Sequence, residues 1–82
     1  MNRADILERR LGAILVRQLK LQDESPLLPD ASLSDIGLDS LGMLAFIASI
    51  EREFGVVVSD RDYEELETFG DAVELLERLS RG

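Results

Sequence analysis

Cysteine, histidine and tryptophan are all absent from this chain. Without cysteine there is no disulfide framework and no thiolate metal site, so packing alone must hold the fold together. Without histidine the chain lacks the commonest general base and the commonest neutral metal ligand, and a Ser-His-Asp hydrolase is excluded. Basic side chains are scarce, with 9 lysines and arginines against 17 aspartates and glutamates and a net charge of −8. That field repels nucleic acid phosphates, so no nucleic-acid partner is expected, and partners with basic docking patches are its natural complement. No apolar run approaches the roughly 20 residues of a membrane span, and the amino terminus has no apolar signal core, so no membrane insertion and a cytoplasmic location are expected. No Gly-rich phosphate loop of the P-loop or dinucleotide type is present.

What is present fits one small soluble domain over residues 1–82. Hydrophobic residues make up 45% of the chain and charged residues 32%, which is globular rather than disordered composition. From Asn2 to about Leu19, the apolar residues Ile6/Leu7, Leu11, Ile14/Leu15 and Leu19 recur every three or four positions, predicting an amphipathic helix capped by Asn2. Gly12 inside it costs on the order of 1 kcal/mol relative to alanine, which points to a close helix contact there. Gln22 to Asp35 holds both prolines and breaks the periodicity. This long loop is expected to cross over between helices, pinned by Leu27, Leu28, Leu33 and Ile36.

A second helix is predicted from about Ser40 to Phe54, burying Leu41, Leu44, Ile47/Ala48, Ile50 and Phe54, and ended by Gly55. Val56-Val57-Val58 is read as an extended connector whose valines plug the core. Ser59, Asp60 and Asp62 predict the cap and acidic first turn of a short helix through about Leu66. The alternate spacing of Asp60, Asp62 and Glu64 is similar to a calcium loop, but Glu65 stands where the sharp turn of such a loop needs glycine, so a solvated acidic helix is the better reading. Thr68 and Asp71 have capping spacing, with Phe69 as the staple for a last helix that buries Ala72/Val73, Leu76 and Leu79. The fold class is therefore all-α, a small bundle of three longer helices and one short one with a long first loop, and it is expected to be a monomer.

Gly37-Leu38-Asp39-Ser40-Leu41 marks where the loop gives way to the second helix. A serine just inside a helix start lies among backbone N–H groups without intrahelical partners, at the positive end of the helix dipole, where a covalent or bound phosphate is favoured. Asp39 and Ser40 are also good N-caps, and spacing alone leaves capping open as their whole role.

Gly-Leu-Asp-Ser-Leu, followed by Ile50-Glu51-Arg52-Glu53-Phe54 and Thr68-Phe69-Gly70-Asp71-Ala72-Val73, resembles an acyl carrier protein of the discrete type, and the resemblance covers nearly the whole chain. It implies that Ser40 carries 4'-phosphopantetheine, flanked by Asp39 and Leu41. A phosphopantetheinyl transferase would deliver the arm from coenzyme A, and its thiol would hold acyl cargo as a thioester for loading and processing enzymes. Such a protein is no enzyme, with no catalytic and no metal-ligating residues.

Fatty-acid carriers usually bear acidic residues just after the motif, where this chain has Gly42-Met43 and Ala45-Phe46. Either Met43 and Phe46 tilt into a wide core, or they present an apolar surface that partners read by shape. The second case favours a specialised polyketide or secondary-metabolite pathway over fatty-acid synthesis. The expected docking residues are Leu38, Asp39, Met43, Phe46, Asp60 and Asp62. The alternatives are a free-standing peptidyl or aminoacyl carrier of nonribosomal assembly and an unmodified helical adaptor.

Overall fold

Four helices form among the described residues, and each starts on a short polar side chain that closes its first turn. The computed structural model describes residues 2–81, with α1 at Arg3–Leu19, α2 at Ser40–Phe54, α3 at Asp60–Glu64 and α4 at Phe69–Ser80. Asn2 accepts from the Asp5 amide at 2.9 Å, Asp39 from Gly42 at 2.7 Å, Ser59 from Asp62 at 3.1 Å and Thr68 from Asp71 at 3.1 Å. At α3 and α4 the third helical residue also reaches back to the cap, completing a capping box. There is no strand among the described residues, only an isolated bridge between Ser32 and Thr68. Nor is any described helix long and apolar enough to cross a membrane.

The helices end by two routes. Gly55 closes α2 in the left-handed conformation at φ +66°, as its lack of a Cβ permits. Lys20 closes α1 in the same conformation at φ +56°, which costs a side-chain-bearing residue roughly 1–2 kcal/mol.

α1 is the hub, packing chiefly on α4 and also on α2. Arg3 at its start donates to the Ser80 carbonyl at the end of α4. Gln18 near its end meets Gly42 at the start of α2, while Arg10 lies over the Phe54 ring, 4.2 Å from the centroid. α1 therefore runs opposite to both neighbours. The core gathers Leu7, Leu11, Ile14 and Leu15 of α1 with Phe46 and Ile50 of α2 and Phe69, Ala72 and Leu76 of α4.

The first loop is tied down rather than draped. Leu27, Leu33 and Leu38 are buried and Ile36 half-buried, whereas Leu28, expected as a pin, faces solvent. Its backbone pairs with the start of α4: Leu33 N–H donates to Glu67 O at 2.9 Å, Phe69 N–H to Ala31 O at 2.9 Å and Gly70 N–H to Pro29 O at 2.8 Å. The last two bonds occupy α4 amides that a helix start leaves without intrahelical partners.

Several sequence expectations are corrected here. The buried face of α2 is not Leu41, Leu44 and Ala48, all of which are exposed, but Met43, Phe46, Ile47, Ile50 and Phe54. Val56 and Val58 pack against the core as expected, while Val57 points outward. Phe69 is the first residue of α4 and fully part of the core, not a staple ahead of the helix, and Leu75 joins the buried face. Gly12 faces the first loop, not a helix: a Cβ there would lie 3.5 Å from Glu24 and Leu27 side-chain atoms.

Two glycines should respond in opposite directions to alanine. At Gly12 the added methyl meets only ordinary contacts in a helix interior, so Gly12→Ala should raise stability by about 0.5–1 kcal/mol. At Gly70 the added Cβ would sit 2.7 Å from the Pro29 carbonyl oxygen. Relief would stretch the bonds joining loop to α4, so Gly70→Ala should cost about 1–3 kcal/mol. Urea midpoints of the two variants against the parent protein check both signs.

Candidate functional site

The site is built at the first turn of α2. The loop arrives through a tight reversal in which Ile36 N–H donates to Ser32 O, Gly37 N–H to Ser34 O and Leu38 N–H to Leu33 O. Gly37 sits at φ +119°, a conformation that L side chains rarely adopt. Leu38 follows, 4% exposed, and belongs to the same core cluster as Met43. These two residues occupy the positions of a hydrophobic staple, one before the cap and one at the fourth helical residue, which fixes the angle at which the chain joins the helix.

Asp39 is the cap and Ser40 the first helical residue, its side chain exposed. The Gly42 amide is taken by the Asp39 carboxylate, and the Met43 amide donates to the Asp39 carbonyl at 2.8 Å. The amides of Ser40 and Leu41 meet no acceptor among the described residues. The first turns of α1, α3 and α4 contain aspartates, whereas that of α2 contains no acidic residue. An accessible hydroxyl thus stands beside two free N–H donors at the positive end of a helix, and the carboxylate of the preceding residue, Asp39, is already engaged in capping. That donor set suits a phosphate ester on Ser40 Oγ.

Beside it lies an open groove of about 330 Å³, lined by Ser40, Leu44, Ile47, Val58, Ser59, Asp60 and Tyr63. Leu44 and Ile47 stand four and seven residues beyond Ser40, on the same face of α2. One wall is therefore the Ser40 face of α2 and the other is the start of α3 with the connector before it. A second cleft of about 410 Å³, between α3 and α4, includes five carboxylates among its lining residues and does not include Ser40. Its charge is wrong for a phosphate.

A family model described as phosphopantetheine attachment site matches residues 9–76. The chain belongs to that family. Its members hold 4'-phosphopantetheine covalently and serve as carriers, generally without catalysis of their own, working with phosphopantetheinyl transferases and biosynthetic enzymes. The accessible hydroxyl and free amides at the start of α2 fit such a group.

Within this carrier domain the expected site residues separate into two sets. Ser40, Asp39 and Leu41 are together at the first turn and all exposed. Asp60 is exposed and lines the same groove. Leu38, Met43 and Phe46 present little side chain to solvent: Phe46 is 0% exposed, Leu38 is the staple, and Met43 is half-buried against the core, although Leu38 and Met43 line an open pocket of about 460 Å³ with Tyr63. The apolar surface beside Ser40 is instead made by Leu41 and Leu44, 77% and 59% exposed. Leu44, Ile47, Val58, Ser59 and Tyr63 are groove residues that the sequence reading did not assign. The i, i+4, i+7 spacing from Ser40 contained the signal for the first two.

Asp62 is half-buried and structurally committed. It accepts from the Ser59 amide at 3.2 Å and pairs with Arg78 at 2.8 Å. Hydrogen bonding from Ser59 is the main reason its carboxyl stays below the usual range, outweighing the upward push of partial burial, and Arg78 and Arg61 add to it. A carboxyl lowered in the folded state stabilises above its unfolded pKa of about 4 and loses that contribution as pH falls through the lower folded value. Asp62→Ala should therefore destabilise at pH 7, with the difference from the parent shrinking as pH drops below about 4. Denaturation midpoints at pH 7, 4 and 2.5 measure it.

Proposed function

We propose that Ser40 is the residue that carries the arm, and that this carrier presents acyl intermediates to enzymes of a specialised polyketide or secondary-metabolite pathway. The observation that supports the attachment site is the exposed Ser40 hydroxyl at the first position of α2, beside the unpartnered amides of Ser40 and Leu41. In the attachment step the Ser40 Oγ attacks the pantetheine-side phosphorus of coenzyme A. A new Oγ–P bond forms, the P–O bond to the adenosine bisphosphate leaving group breaks, and the hydroxyl proton passes to a base of the transferase. On this chain the two free amides lie near the resulting phosphodiester charge, and Asp39 holds the turn through Gly42. When bound, the group supplies a terminal thiol on which acyl cargo rides as a thioester.

The pathway assignment rests on the outer face of α2. From Ser40 to Ile50 the helix has no charged residue, and its exposed side chains include Leu41, Leu44, Ala45 and Ala48. A partner that reads acidic residues on this stretch of α2 finds only the capping Asp39 before it, with Asp60 across the groove on α3. A partner with an apolar dock can bury Leu41 and Leu44, each contributing about 1.5–3 kcal/mol when fully covered. Gly42 is no place to restore an acid, because a Cβ there would stand 3.0 Å from the Asp39 carboxylate and 3.2 Å from Leu38.

Two experiments test these readings. Incubation with coenzyme A and a broad-specificity transferase should add the mass of one phosphopantetheine arm, and Ser40→Ala should abolish it while shifting stability by less than about 0.5 kcal/mol. An alanine variant that still gains the arm would overturn the site. For the pathway, the unaltered protein should turn over poorly with a fatty-acid synthase partner, and Ala45→Glu with Ala48→Glu should raise turnover in a salt-sensitive way. Full turnover by the unaltered protein would place the chain with the fatty-acid carriers.

A further inference from the structure

Gln18 makes the direct side-chain link between the end of α1 and the turn that holds Ser40. Its Nε2 donates to the Gly42 carbonyl at 2.8 Å. Only the nitrogen of the amide can donate to a carbonyl, so the orientation of the group is fixed by this bond. Its Oε1 is then left buried with no hydrogen-bond partner among the described residues. The Gly42 carbonyl already serves as an acceptor within the helix through the i+4 amide, so it does not need Gln18 to be satisfied. The bond thus adds little that the helix lacks, while the buried, unpaired oxygen is a net cost. An apolar side chain of the same length would avoid that cost.

The turn itself shows what the bond can do. Asp39, Ser40 and Leu41 are all exposed, so no side-chain packing at these positions holds the turn. It is held by the Asp39 cap within α2, by Leu38 before it, and from α1 by Gln18. A Cβ at Gly42 would stand 3.7 Å from Gln18 Nε2, an ordinary contact, so the crowding at this position comes from Asp39 and Leu38 and not from α1.

We infer that Gln18 is a positioning residue for the attachment serine: it clamps the first turn of α2 to α1 so that the Ser40 hydroxyl and its two free amides are held in the arrangement the transferase needs. This rests on Ser40 being the modified residue. Loss of the clamp lowers the fraction of molecules with a competent turn, which raises the apparent KM for the carrier by that fraction and leaves kcat unchanged.

The experiment compares Gln18→Met, which keeps length without polarity, and Gln18→Glu, which keeps shape but cannot donate when ionised, using the same transferase and coenzyme A. For both variants, KM for the carrier should rise about two- to tenfold, the range that one hydrogen bond supplies, with kcat unchanged. Gln18→Met should melt no lower than the parent. Backbone order parameters at Ser40, Leu41 and Gly42 should fall from the rigid value of about 0.85 in both variants, a change confined to this turn. An unchanged KM in Gln18→Met sinks the inference, as does a lowered melting temperature with order at residues 40–42 intact, which would make Gln18 a stability residue. If the parent protein gains no arm at all, the attachment reading fails and takes this inference with it. If the parent is modified and the variants match it, only the inference fails.

Discussion

The short run of backbone hydrogen bonds between the first loop and the start of α4 is the constraint on which the rest of the arrangement depends. A loop of this length in an 82-residue chain would leave its polar backbone groups and its ends poorly fixed. Here Pro29, Ala31 and Leu33 meet Gly70, Phe69 and Glu67 across a ladder too short to be a strand. The ladder meets two needs at once, because the amides it consumes are those a helix start leaves over. Once this middle of the loop is fixed, the reversal from Ser32 to Leu38 starts from a defined point. The turn with Gly37 then delivers Asp39 and Ser40 to one place on the surface.

The starts of α4 and α2 show the same local chemistry turned to opposite ends. At α4, two amides go to loop carbonyls, one to the Thr68 hydroxyl and one to the Thr68 carbonyl, so nothing remains for a ligand. At α2, the cap takes the third and fourth amides and the first two remain open. The difference lies in what covers each helix end. α4 begins under the loop, with Phe69 in the core, while α2 begins at the surface with its first two side chains in solvent.

How much was legible in the sequence follows the kind of signal. The helix starts were readable because Asn2, Asp39, Ser59 and Thr68 are side chains that bond to backbone amides two or three residues on, a local event that needs no tertiary information. The end at Gly55 was readable for the same reason, and the end of α1 at Leu19 from the break in apolar spacing, although nothing about lysine announces the left-handed residue that follows it. The buried face of α2 was misread for a physical reason: from Leu41 to Ile50 this helix is apolar or small nearly all round, so periodicity does not select one stripe. What selects it is the angle set by Leu38 and the space α1 leaves for Phe46 and Ile50. The family was legible in the motifs of the sequence, while the bond from Gln18 to Gly42 required α1 and α2 to be brought together.

The two electrostatic halves of the chain then divide the work of partner choice. A net charge of −8 acts at long range, raising encounter rates with basic surfaces and falling off within roughly 10 Å at ordinary salt. The outer face of α2 acts only on contact, and its contribution scales with apolar area rather than with charge. Leu41 and Leu44 remain in water although the helix could have used them in its core, and they flank the one residue whose position the loop, the staple and the cap all converge on. On the proposed reading, the acidic field gathers basic partners without distinguishing among them. The leucines beside Ser40 then discriminate, because an enzyme with a charged dock would leave them exposed or leave its own basic groups desolvated and unpaired. Selection by mismatch of this kind needs no additional residue near the arm, which agrees with a first turn that holds only a serine, a cap and two open amides.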